Sequence, residues 1–144
     1  MKFKRLQITG FQSHVNTEIA FSDGLNVIVG PTNVGKSSII RALRKLVRDI
    51  PAGKSFINKD SDKTVLQLTI DNGGTEFVVT REVTASKNLY YVNDQEFGGF
   101  GREIPAEVQT ALDMALIELE NDEKVDLHFT DQHDLPFLLA GTAS

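Results

Sequence analysis

The feature that most restricts this fold is a glycine-lysine turn caught between an apolar run and an amphipathic stretch. Gly30-Pro31-Thr32-Asn33-Val34-Gly35-Lys36-Ser37 satisfies the pattern G-x-x-x-x-G-K-[ST] without a gap. Leu25 to Val29 enters it as a short, nearly continuous apolar run, the pattern of a strand buried on both faces of a sheet. A helix from about Lys36 to Ile50 leaves it, because Ile39, Ile40, Leu43, Leu46, Val47 and Ile50 recur at helical spacing and form one apolar stripe. Pro51-Ala52-Gly53 stops that helix. Arg41, Arg44, Lys45 and Arg48 occupy much of its remaining surface. They read as a solvated face with cations toward the helix C-terminus, and as a candidate contact for DNA phosphates.

The turn needs these residue types for chemical reasons. Gly30 and Gly35 let the backbone bend tightly, so that main-chain amides, those of Thr32, Asn33 and Val34 included, can approach phosphate oxygens. The positive end of the following helix points at the same place. Lys36 is expected to reach the β- and γ-phosphates and Ser37 to offer its hydroxyl to Mg²⁺, with Ser38 adding a hydrogen bond. The ligand implied is a nucleoside triphosphate with Mg²⁺. A GTPase is disfavoured: Asp71-Asn72-Gly73-Gly74 matches D-x-x-G only within a hairpin turn. Asn58-Lys59-Asp60-Ser61 puts Ser61 where the guanine-binding Asp belongs, and precedes that turn.

Lys2 to Thr9 and Asn16 to Phe21 alternate like strands, as do Thr64 to Ile70 and Glu76 to Val83. The last two are joined by Asp71-Asn72-Gly73-Gly74, a strong hairpin signal. Leu89 to Val92 and Glu96-Phe97 extend an antiparallel meander, with the aromatic cluster Tyr90-Tyr91 as strand core. Gly98, Gly99 and Gly101 surround Phe100, and Pro105 opens a helix to about Met114. Leu116 to Phe129 is ambiguous by periodicity; a strand turning at Asn121-Asp122-Glu123 is one reading. The fold class is α/β: a mixed sheet around the turn-bearing strand, plus the meander from Thr64 to Phe97.

With 144 residues, 40% of them hydrophobic and 24% charged, the chain has room for one domain with a real core. Its net charge of −5 argues against a domain that coats nucleic acid, so any DNA contact is expected from a local patch or a larger assembly. There is no cysteine, which excludes disulfides and thiolate metal sites, and no apolar run nears the ~18 residues of a membrane span. A cytoplasmic setting without a membrane partner is expected. His128, Asp131, His133 and Asp134 do not have zinc-site spacing and read as structural groups or as supports for groups that touch the ligand.

Several segments together resemble the SMC-like ATPases. They are Ile8-Thr9-Gly10-Phe11-Gln12-Ser13-His14, Ile19-Ala20-Phe21, Gly24-Leu25-Asn26-Val27-Ile28-Val29-Gly30 and Ser37-Ser38-Ile39-Ile40-Arg41-Ala42-Leu43. That group of AAA-type P-loop proteins includes the double-strand-break-repair ATPases and RecF, and sits in the wider ABC class. Asp131-Gln132-His133-Asp134-Leu135-Pro136-Phe137-Leu138-Leu139 is similar to the Q-loop that closes the family's N-terminal lobe. The resemblance implies that Gln132 helps hold Mg²⁺ and the attacking water. It makes Gln12 and Ser13 nucleotide contacts, and lays Ile57, Asn58 and Lys59 beside the adenine. The family often has a basic residue where Gln12 stands. Its commoner loop reads Pro-Asn-Gly-Ser-Gly, and Asn33 can adopt the left-handed backbone that glycine would supply.

The resemblance further implies an N-terminal ATP-binding lobe over residues 1–144, with the coiled coil and C-terminal lobe elsewhere in a longer protein. The acidic pair and signature loop needed for hydrolysis belong to that second lobe. Met114-Ala115-Leu116-Ile117-Glu118 imitates the acidic strand but Leu119 follows, and Leu139-Ala140-Gly141-Thr142 is a poor signature. The expected partners are the C-terminal lobe, a second head bound through ATP, DNA through the full assembly, and a nuclease. The expected activity is ATP hydrolysis by the whole protein, with weak Mg·ATP binding and almost no turnover by this piece. The competing expectation is a complete small nucleotide-binding module or kinase-like enzyme.

Overall fold

The computed structural model describes residues 1–101, 103–120, 122 and 124–130. Two compact units divide the chain, the first being Met1–Asp113 and the second beginning at Met114.

The first unit is built on six strands: β1 (Lys2–Phe11), β2 (His14–Ala20), β3 (Lys63–Asn72), β4 (Thr75–Thr84), β5 (Asn88–Val92) and β6 (Gln95–Gly98). They form one sheet in the order β2-β1-β3-β4-β5-β6, every pair antiparallel. Alternation decides which face is buried. Leu6 and Ile8, then Leu66, Leu68 and Ile70, then Val79 and Val83, and finally Tyr90 all lie on one face and are buried. Two helices cover that face. α1 (Lys36–Arg48) packs on β1 and β3 through Ile39, Ala42, Leu43, Leu46 and Val47, and α2 (Ala106–Leu112) packs on β4 and β5 through Val108, Ala111 and Leu112. In the second unit β7 (Ile117–Glu118) and β8 (Lys124–Val125) make a short antiparallel pair, so the ambiguous Leu116 to Phe129 segment contains a small hairpin.

The structure departs from the sequence reading in three places. Leu25 to Val29 joins no ladder, and Leu25, Val27 and Val29 are 90%, 70% and 83% exposed. β1 is paired on one side by β2 and on the other by β3, so that strand has no free side for this segment, and the open edges of the sheet are β2 and β6. The described sheet is therefore antiparallel, not mixed. Ile40 and Ile50 leave the apolar stripe and are exposed. Lys45 does the opposite. It is only 3% exposed, so the basic face of α1 lacks it.

A groove of about 450 Å³ runs beside the unpaired segment. Phe3, Phe21, Ile28, Ile39, Ile40 and Leu43 give it an apolar lining, and the exposed Lys2–Asp23 ion pair (2.9 Å) stands among its polar residues. No helix among the described residues is long and apolar enough to cross a membrane.

Candidate functional site

The glycine-lysine turn closes onto the N-terminus of α1. Asn33 takes φ 66° and Gly35 takes φ 91°, so two left-handed residues reverse the chain between Gly30 and Lys36. Asn33 thus supplies the backbone shape that glycine would otherwise provide. The Lys36 Nζ donates to Gly30 O at 2.6 Å and also to Pro31 O, so its stem crosses the loop. Ammonium, loop backbone and helix N-terminus converge on one place. Thr32, Asn33, Val34 and Ser37 are solvent-exposed there. Ser38 instead points inward: its hydroxyl donates to Gly35 O at 2.9 Å and its amide to the same oxygen at 3.0 Å.

The two-residue turn between β1 and β2, Gln12-Ser13, lies against this loop. A Cβ on Gly35 would stand 2.7 Å from Ser13 Oγ and 3.0 Å from His14 Nε2, and Ser13 Oγ lies 3.4 Å from Ser38 Oγ. Gln12 adopts φ 50°, and its Oε1 accepts from Arg41 Nη1 at 3.4 Å. Its backbone N–H donates to Phe56 O at 2.7 Å, while Asn58 Nδ2 donates to Gln12 O at 2.5 Å. A bridge between Phe11 and Ile57 completes the attachment. Gln12, Ser13, Ile57 and Asn58 are therefore neighbours of one another, with Ser13 the one that reaches the loop. Lys59 follows them as an exposed residue. Gln132 lies outside the described residues, as do Asp131, His133 and Asp134.

Two residues of this neighbourhood were not among the nucleotide contacts expected from the sequence. His14 is buried and bonds both Thr17 and the Gly35 carbonyl. Arg41 brings a guanidinium to Gln12, one helical turn beyond Ser37. His14 had a signal, its place directly after Ser13 in the family-like segment. Arg41 had only the general one of basic residues along α1.

The far end of α1 carries a buried charge cluster. Lys45 Nζ lies 2.7 Å from Asp49 Oδ1, and Arg81 Nη2 lies 2.6 Å from the same oxygen. Lys45 also donates to Pro51 O at 2.8 Å and sits 4.5 Å from the Phe56 ring centre. Arg81 is fully buried against the rings of Tyr90 and Phe100, at 4.2 and 5.0 Å, and the Tyr90 hydroxyl donates to Leu46 O at 2.9 Å. Burial lowers the Lys45 pKa against the opposing pull of Asp49, and burial raises that of Tyr90. These contacts fasten the C-terminal turn of α1 to β4 and β5. The basic residues of this helix are thus split between surface and interior.

Comparison with known proteins agrees with this geometry. The family model described as AAA ATPase domain matches residues 1–134. The DNA double-strand break repair Rad50 ATPase of Sulfurisphaera tokodaii is 32% identical over 133 residues, covering 87% of this chain and 15% of the relative. The DNA repair protein RecN of Aquifex aeolicus is 36% identical over 89 residues, covering 62% of this chain and 16% of the relative. The SMC head domain from Thermotoga maritima superposes with a TM-score of 0.58 at 31% identity, covering 67% of this chain and 39% of that one. This chain therefore spans a small part of the length of these curated relatives. The chain belongs to the AAA ATPase domain family, and its fold and sequence are those of an N-terminal lobe of the SMC- and Rad50-like kind.

Proposed function

We propose that this chain is the ATP-binding half of a DNA-repair or chromosome-maintenance ATPase head, one that dimerises around ATP and acts on DNA as part of a longer protein. The observation that carries the reading is the loop from Gly30 to Ser37. Two left-handed residues, the helix N-terminus and the Lys36 ammonium converge there, which is the arrangement that triphosphate binding needs. Loop amides and Lys36 take the phosphates. Gln12, Ser13 and Ser38 border them, and the Ile57 to Lys59 stretch lies toward the base.

The exposed Ser37 hydroxyl fits Mg²⁺, which commonly takes one or two protein oxygens and completes its shell with phosphates and water. Gln132 is the proposed second ligand and the group that orients the attacking water. Mg²⁺ held there would neutralise charge on the phosphates.

Support for a partner lobe comes from the unpaired Leu25–Val29 segment and the apolar groove beside it. An exposed run of this kind is a strand lacking neighbours and favours pairing with another sheet. A C-terminal lobe of the same protein would supply one, together with the signature loop and acidic pair that hydrolysis requires. The names of the relatives carry the DNA-repair assignment, and a nuclease partner is part of the same proposal.

Calorimetric titration with Mg·ATP and Mg·GTP, on this chain and on the full-length protein, tests the reading. The expected result is saturable, weak Mg·ATP binding by the chain, lost in Lys36→Ala, with steady turnover only in the full-length protein. No binding by either form at millimolar Mg·ATP would remove the nucleotide assignment. Steady turnover by the chain alone, abolished in Lys36→Ala, would remove the half-site assignment.

A further inference from the structure

We propose that His14 is a positioning residue of the phosphate loop, acting through the Gly35–Lys36 peptide. The inference rests on the nucleotide-binding reading above and assigns a residue which that reading leaves without a role.

The side chain is 8% exposed and both ring nitrogens have partners. Nε2 lies 3.1 Å from Gly35 O, and Nδ1 lies 2.8 Å from Thr17 Oγ1. A carbonyl oxygen only accepts, so Nε2 carries the proton. In the neutral ring Nδ1 then accepts from the Thr17 hydroxyl. The Gly35 carbonyl thereby selects the tautomer, and the Thr17 hydroxyl three residues along β2, able to donate or accept, matches it.

Gly35 O is a crowded acceptor. Besides His14 it receives the Ser38 amide at 3.0 Å and the Ser38 hydroxyl at 2.9 Å. Three donors on one oxygen pin the orientation of the Gly35–Lys36 peptide plane. In a planar trans peptide the N–H points opposite to the C=O. Holding the carbonyl toward His14 therefore holds the Lys36 amide on the opposite side, the direction in which the first N–H of α1 leaves the helix.

Gly35 cannot fix this plane itself, since with φ 91° it lacks the Cβ that narrows backbone freedom. Nor can it gain one, because Ser13 Oγ and His14 Nε2 occupy that space at 2.7 and 3.0 Å. The permissive residue that the loop requires is thus held from outside by the first residue of β2.

Two variants separate this role from simple packing. His14→Phe keeps a ring of similar bulk without a donor, and His14→Gln restores an N–H on a flexible stem. Each is measured for nucleotide-free melting temperature, for the ¹H–¹⁵N resonance of the Lys36 amide, and for affinity toward Mg·ATP. The expected result is a shifted Lys36 amide and about tenfold weaker binding in His14→Phe. Wild-type-like values within about threefold are expected in His14→Gln. Should His14→Phe fail to fold, His14→Gln decides: affinity within threefold supports the role, and a tenfold loss in a folded protein overturns it. Wild-type protein that binds, with His14→Phe binding equally well, overturns the inference alone. Wild-type protein that does not bind removes the nucleotide reading, and the Lys36 amide still reports whether His14 sets the peptide.

Discussion

Replacing Asp49 by Asn changes one charge and little else, so the cost of the buried cluster can be read from it. Asp49 follows α1 with φ 57°, a left-handed conformation that Asn also accepts, and the backbone contribution is therefore small. What disappears is the counter-charge for two buried cations. Lys45 and Arg81 have side chains 4% and 0% exposed, and both meet Asp49 Oδ1, at 2.7 and 2.6 Å. At an effective dielectric of about 20, unit charges ~4 Å apart attract by about 4 kcal/mol, so the two attractions gain roughly 8 kcal/mol gross before the Lys45–Arg81 repulsion and desolvation are subtracted. Removing one member of a buried pair typically costs about 3–5 kcal/mol, because the remaining charge stays buried. That is the loss expected for Asp49→Asn, a large part of the ~5–15 kcal/mol that domains possess. In urea, with a slope of about 2 kcal/mol per molar, the midpoint should fall by roughly 2 M at unchanged slope. Arg81 Nε and Nη1 have no hydrogen-bond partner among the described residues, so Arg81→Met removes a charge without stranding an acceptor other than Asp49. In that background Asp49→Asn should cost only about 1–2 kcal/mol. A loss below ~1 kcal/mol in the parent would show that the carboxylate is not neutralising buried charge, and equal losses in both backgrounds would show that it is not coupled to Arg81.

The same cluster sets a pH dependence. Burial depresses Lys45, so between its lowered folded pKa and its ordinary value of 10.5 the unfolded chain holds more protons and stability rises with pH. Tyr90 is raised above 10.0, so beyond roughly pH 10 the unfolded chain ionises first and stability falls. Urea titrations from pH 7 to 11 should show a rise, then a fall, and Lys45→Met should abolish the rise; a rise that survives Lys45→Met refutes its assignment. Gly35→Ala should destabilise by about 2 kcal/mol and abolish Mg·ATP binding, since it adds an atom 2.7 Å from Ser13 Oγ to a left-handed residue. Gly73→Ala, left-handed at φ 62° with nothing within 4 Å, should cost only about 1 kcal/mol; equal melting temperatures for the two variants would mean that the Ser13–His14 contact is unimportant.

Local chemistry made much of this molecule legible in its sequence. Period-two alternation located β1, β3, β4 and β5 to within a few residues, and Asp71 to Gly74 marked their central hairpin. Asn33 was readable as a left-handed residue because its type narrows the choices. Lys45 was not readable. A lysine at a helix position flanking the apolar stripe normally snorkels to water, and only Asp49, Pro51 O and the Phe56 ring, brought there by the turn after α1, make its burial tolerable. His14 was hidden for a related reason: its partners stand 3 and 21 residues away, and the longer contact exists only once the β1–β2 turn meets the loop.

Leu25 to Val29 shows the other side of the same logic. A run of five residues with apolar side chains at Leu25, Val27, Ile28 and Val29 reports a demand for burial on both faces, and pattern alone cannot say which surface meets the demand. Among the described residues of 1–113 the run joins no ladder, and β1 is already paired on both sides by β2 and β3. The run also leads into the phosphate loop, so whatever pairs with it acts on the strand that carries Gly30. If a second lobe supplies the missing neighbours, lobe docking and loop geometry are mechanically linked through five residues of backbone. Such linkage would let nucleotide at Lys36 bias the arrangement of the two lobes, and their arrangement bias affinity in return, as reciprocity of coupled equilibria requires.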